Sequence, residues 1–146
     1  MNKLNITDIK QKMFKKLNGT GWDKVFKSYI FSSDFEDSIK KLHTFASQDK
    51  RFTPPLKDIF RAFEECPYKD LKVVMIGQDP YPQLGVADGI AFSCSSTGKV
   101  QPSLRYIFQE LNGSQWDSLN PDLRRWSNQG ILMLNTALTC EVNNIG

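Results

Sequence analysis

The residues Gly77-Gln78-Asp79-Pro80-Tyr81 stand directly behind the apolar run Val73-Val74-Met75-Ile76. A short β-branched run that ends in glycine and an acid reads as a buried strand handing a carboxylate to a loop. In open α/β sheets ligands bind outside the carboxyl ends of the strands, so Asp79 is placed for chemistry. Two further residues fit the same geometry. Phe92, in Ile90-Ala91-Phe92-Ser93, offers an aromatic face; Asn135, at the end of Ile131-Leu132-Met133-Leu134, carries a donor and an acceptor on one amide. Taken singly, each has a plainer explanation: a solvated turn aspartate, a core aromatic on a strand, a turn former at a strand end.

Positioning these groups requires a sheet flanked by helices, and the hydrophobic pattern supplies both. Ile6, Ile9, Met13, Phe14 and Leu17 share one helical face, which Gly19 closes. Val25, Phe26, Tyr29 and Ile30 form a second stripe. Phe35, Ile39, Leu42 and Phe45 form a third after Ser32-Ser33-Asp34, with His43 beside it as a partly buried helical histidine. After the break at Thr53-Pro54-Pro55, the spacing of Leu56, Ile59, Phe60 and Phe63 predicts another helix, ended by Cys66-Pro67-Tyr68. Strands are predicted over 72–76, 90–93 and 131–134. A helix is predicted over 103–111 with Pro102 at its start, and another begins at Asn120-Pro121 in cap-then-proline form and is followed by Gly130. Strands alternating with helices imply parallel βαβ units. The fold class is therefore α/β, a three-layer α/β/α arrangement around a short central parallel sheet, with Asp79, Phe92 and Asn135 at one sheet edge. Three strands make a thin sheet. A last strand is expected to be missing, which would leave the third strand as an unpaired apolar edge prone to association.

Bulk properties narrow the class. A chain of 146 residues with 40% hydrophobic content is one domain's worth and long enough to bury a core. The net charge of +3 is compatible with a polyanionic partner without identifying one. Lys10, Lys12, Lys15, Lys16, Lys24, Lys27, Lys40 and Lys41 fall at helical spacings that suit a solvated face. Cys66, Cys94 and Cys140 are odd in number and widely spaced, which argues against a disulfide framework. With His43 as the one histidine, zinc and iron–sulfur sites lack ligands, so no metal is expected. The thiols read as reduced. The start of the chain has no signal-peptide core, and no apolar run approaches membrane-spanning length. The expectation is a soluble intracellular protein without a membrane partner.

The motifs now become recognisable. Residues 72–81 resemble the water-activating motif of the uracil-DNA glycosylases, the family with the signature GQDPYH. Gly89-Ile90-Ala91-Phe92-Ser93 resembles that family's GLAFS segment, and Gln101-Pro102-Ser103-Leu104 its proline- and serine-containing loop. Residues 129–139 resemble its QGVLLLNTVLT strand, and residues 54–63 are similar to its PPxxDVFNAF helix. The likeness runs in order from about Phe52 to Thr139. It implies hydrolysis of the N-glycosidic bond between uracil and deoxyribose, the first step of base-excision repair, without metal or cofactor. Uracil-containing DNA, single- or double-stranded, is the implied partner, with a glycosylase inhibitor protein or a separate C-terminal segment as further partners. The implied location is cytoplasmic in a bacterial or phage setting and nuclear in a eukaryote. The alternative is a catalytically weak or inactive DNA-binding or replication-accessory protein on the same scaffold.

The implied roles have physical sense. Asp79 would stabilise an oxocarbenium-like sugar and hold the attacking water. Phe92 would stack on a flipped uracil, and Asn135 would meet N3–H and O4. Tyr81 would fill the space at uracil C5 and exclude a thymine methyl. Gln78 would add backbone contacts to the base, and Pro102 and Ser103 would press on the DNA backbone. There are departures. Pro82 replaces the histidine that ends the family motif, and Asp88 stands where histidine is common, an awkward neighbour for phosphates unless it points away. Nothing after Thr139 resembles the family's HPSPLS motif. Residues 1–146 are thus expected to form a single domain that is incomplete at its C-terminus, with weak activity or none on its own.

Overall fold

The computed structural model describes residues 5–144. Its helices begin and end where local chemistry requires. In α1 (Ile6–Leu17) the Asn5 side chain accepts from the Asp8 amide at 3.0 Å, while Lys15 and Lys16 lie in the last turn against the dipole's negative end. Gly19 and Gly21, at φ 80° and 86°, turn the chain into α2 (Trp22–Ile30). Ser32 caps α3 (Ser33–Ser47) by accepting from the Phe35 amide at 3.3 Å. Lys10 departs from the solvated face expected of the lysines. It is buried, and its Nζ donates to the Ser32 carbonyl at 3.1 Å and to Glu36 at 3.0 Å, tying α1 to the start of α3. On α2 the stripe is rotated from the expected one: Trp22 and Ile30 are buried, whereas Val25 and Tyr29 are exposed.

The next elements are β1 (Phe52–Thr53), α4 (Arg61–Glu65) and β2 (Val73–Gly77), followed by α5 (Pro102–Asn112), α6 (Arg124–Ser127), β3 (Ile131–Asn135) and β4 (Cys140–Glu141). β2 and β3 pair in parallel, with Val73 opposite Ile131 and Gly77 opposite Asn135. This register ends both strands at one level, so the loops after Gly77 and Asn135 leave the same edge. β3 runs through the centre of the molecule. Leu132 and Leu134 face a cluster built from α1–α4, including Leu17, Trp22, Ile30 and Phe63. Ile131 and Met133 face the opposite cluster of Ile90, Leu104, Phe108 and Leu123. The two-residue alternation of a strand thus separates two helical layers, as a three-layer α/β/α fold requires.

Four expectations are corrected. Residues 90–93 form a turn and not a strand: Phe92 has φ 64°, which no strand residue adopts, and a single bond from the Ala91 amide to the Met133 carbonyl (3.0 Å) lays the segment beside β3. The helix expected over 56–63 is a 3₁₀ turn, Leu56–Asp58, then α4, with Phe60 at φ −100°, ψ 11° between them. Asn120 caps a turn by accepting from the Asp122 amide at 2.9 Å, and α6 starts only at Arg124. Finally, β2, read as a buried strand, is bare: Val73, Val74 and Ile76 are 54%, 50% and 53% exposed, whereas β3 is covered on both faces. Among the described residues β2 pairs only with β3. The antiparallel pair β1–β4, with Phe52 opposite Glu141, lies outside what the sequence pattern predicted.

Candidate active site

The loop that leaves β2 is held from outside. The Thr136 amide donates to the Gly77 carbonyl at 3.0 Å and the Ala137 amide to the Gln78 carbonyl at 3.1 Å. Farther along, the Asn143 amide donates to the Pro82 carbonyl at 2.9 Å. The chain after β3 is therefore a strap across residues 77–82, and β1–β4 pairing anchors its far end.

Behind the strap lies an open cavity of about 330 Å³, lined by Gln78, Asp79, Tyr81, Phe92, Ser103 and Asn135 among others. That volume lies at the small end of ligand sites, roughly 300–1,000 Å³. Six of the seven residues singled out in the sequence thus meet at one site. The seventh, Pro102, is the exposed first residue of α5, next to Ser103 and outside the lining. His43 lies on α3 and is half-buried, away from the lining.

Gly77 sets the spacing of the groups. A Cβ there would collide with Asn135 Oδ1 and lie 3.3 Å from two carbons of the Phe92 ring, so amide and ring close over a bare backbone. Asp79 is half-buried, and one of its carboxylate oxygens accepts from Gln78 Nε2 at 3.2 Å. The Tyr81 hydroxyl donates to the Phe92 carbonyl at 3.0 Å, which fixes the tyrosine ring against the turn that carries the phenylalanine. Burial pushes the Tyr81 phenol well above its ordinary value, and this keeps the donor protonated. The Cys140 thiol, bonded to the Pro80 carbonyl at 3.3 Å, is also pushed up, by burial and then by the Asp79 charge. It stays a thiol and is a poor nucleophile.

Asp88 does point away from the surface. It is 6% exposed, and its carboxylate is turned inward onto Ile90, Ser93, Ser95 and Arg61. Three contributors went unread in the sequence. Gly77 carried a signal, a glycine closing a strand. Pro54 and Leu138 line the cavity through long-range packing that no local pattern announces. Chemically the site combines a carboxylate, an aromatic face and a primary amide around one open cavity.

The family model that matches is the uracil DNA glycosylase superfamily, over residues 63–144. A protein of Borreliella burgdorferi (strain ZS7) named uracil-DNA glycosylase is 41% identical over 123 residues, spanning 82% of this chain and 55% of that protein. One of Lactobacillus helveticus with the same name is 38% identical over 136 residues, spanning 87% and 55%. The crystal structure of mimivirus uracil-DNA glycosylase superposes with a TM-score of 0.77 at 27% identity, covering 97% of this chain and 52% of that one. A mimivirus UNG variant in complex with UGI superposes at 0.78. The chain spans about half the length of the curated relatives it matches.

Proposed function

The chain belongs to the uracil DNA glycosylase superfamily, and from that premise we propose that it hydrolyses the bond between uracil and deoxyribose in DNA, as a single domain. One observation carries the reading above the rest: a carboxylate, an aromatic ring and a primary amide converge on one cavity large enough to admit a base. The target nucleotide leaves the stack, because its glycosidic bond is out of reach inside a duplex. Phe92 takes the face of the uracil, a contact worth about 1–3 kcal/mol. Asn135 accepts from N3–H and donates to O4. Cytosine presents the reverse pattern and would leave buried polar groups unpaired, so it is refused. Tyr81 stands at C5, where a thymine methyl would press on a ring held by its bond to Phe92.

As the C1′–N1 bond lengthens, its electron pair moves onto the uracil and positive charge gathers on the sugar. The Asp79 carboxylate stabilises that charge and holds the water whose oxygen joins C1′, taking up the water's proton. Charge placed in advance where a transition state needs it is typically worth about 10²–10³ in kcat per group. Ser103, which lines the cavity, and Pro102 beside it meet the DNA backbone, and Gln78 adds main-chain contacts to the base. By likeness to the mimivirus complex, UGI is the protein partner to try.

The test is base release from single-stranded oligonucleotides carrying one uracil, cytosine or thymine, with alkali revealing the abasic site. Single strands remove the unpairing cost. Slow release of uracil is expected, with the other two bases retained. Binding of DNA with no base released would contradict the glycosylase reading and return the protein to the DNA-binding alternative.

A further inference from the structure

We propose that Asp88, clamped by Arg61, is the positioning residue for the Phe92 ring. This rests on the reading of Phe92 as the face that takes the base. The Asp88 carboxylate lies under the turn that carries Phe92 and is saturated with donors. Oδ1 accepts from the Ile90 amide at 3.1 Å; Oδ2 accepts from Ser93 Oγ at 2.8 Å and the Ser95 amide at 2.9 Å. These partners lie on both sides of Phe92 in the chain. Between them Phe92 adopts φ 64°, a conformation that a side chain with a Cβ disfavours and that persists only where the surroundings impose it.

The clamp reaches a second element. Arg61, at the start of α4, lies 3.4 Å from Asp88 Oδ2, and the same Nη1 donates to the Asp88 carbonyl at 3.1 Å and to Ser95 Oγ at 3.3 Å. Next in the chain, Gly89 is seated so closely that a Cβ would collide with the Asp58 carbonyl. Ser93 Oγ, besides donating to Asp88, accepts from the Leu123 amide at 3.1 Å and so fixes the turn to the segment before α6. A neutral side chain would suffice to close a local turn. A buried carboxylate is unfavourable to desolvate and is retained here with a guanidinium and three donors. The pair adds a fixed point that holds the strained turn against α4, and the Tyr81 bond to the Phe92 carbonyl inherits that position.

The variant to make is Asp88→Asn, which keeps the size and one acceptor but loses the charge and turns an NH₂ toward a donor. Steady-state uracil release by the whole protein is measured for Asp88→Asn, Phe92→Ala and the double variant. Asp88→Asn is expected to lower kcat/KM about tenfold, mainly through KM, as misplacing a binding group does. In the Phe92→Ala background the same change is expected to cost less than about twofold, because the residue it acts through is gone. Equal losses in both backgrounds, or no loss, overturn the proposal, since a general structural role acts regardless of the ring at 92. Should Asp88→Asn fail to fold, Ser93→Ala removes one donor only and enters the same cycle. If the unsubstituted protein releases no uracil, the glycosylase reading falls, and the clamp is judged separately by NMR. Phe92 backbone shifts that lose their positive-φ signature in Asp88→Asn sustain it; unchanged shifts overturn it.

Discussion

At Gly77 a single hydrogen atom decides whether the site can form. The Asn135 amide and the Phe92 ring close over it, so Gly77→Ala would force one of them out. The expected result is a drop of at least about tenfold in kcat/KM for uracil release, with cooperative unfolding retained; undiminished activity would mean that the amide and ring do not need this spacing. Tyr81 gives a prediction in pH. Burial raises its folded-state value above the ordinary 10.0, so the unfolded chain ionises first as pH rises. Its contribution to stability is complete below pH 10 and declines above it. Urea midpoints at pH 8 and at pH 11 should therefore differ more for the unsubstituted protein than for Tyr81→Phe, and equal differences would contradict this. Arg61 and Asp88 show how residue-scale facts combine. Arg61 stands where the similar motif has Asn and Asp88 where His is common, and in the fold the two departures face each other at 3.4 Å.

At the scale of elements, α5 couples the core to the cavity rim. Leu104 and Phe108 are fully buried under β3, while Ser103, one residue earlier, reaches the cavity. Leu104→Ala should cost about 2–5 kcal/mol in urea unfolding, and a loss under about 1 kcal/mol would show the layer to be loosely packed. The helices were legible because amphipathic spacing and caps are local: Gly19 follows the end of α1 and Ser32 and Ser33 open α3, as the pattern said, while the Asn5 cap was not read. β2 and β3 were legible as apolar runs, and their parallel pairing followed from the helices between them. The turn at 90–93 was not. Its apolar run is strand-like, and what bends it is a carboxylate at Asp88 bonded to residues up to seven ahead and to Arg61 on α4, contacts that apolar spacing does not report. The exposure of β2 was hidden for a related reason: an apolar run reports what a strand can bury and says nothing of what covers it. The candidate set was legible through the ordered resemblance of five segments to one family, since each residue taken singly has a plainer explanation. Its convergence depends on the level ends of β2 and β3 and on the strap at 136–143, both long-range features.

For the whole molecule, two helical layers meet on one strand, and the cavity opens where that strand ends. Both core clusters contribute to its wall, Leu134 and Ile59 from one and Ile90 and Phe92 from the other. The site therefore depends on the layers being docked, and the proposed reaction rests on the Asp79 carboxylate in its wall. The most direct measurement is single-turnover uracil release by the unsubstituted protein and by Asp79→Asn, with oligonucleotide binding followed in parallel. Release should fall at least about a hundredfold in Asp79→Asn while binding changes by less than about twofold. Release that persists in Asp79→Asn, or that disappears only together with binding, would contradict the role given to Asp79.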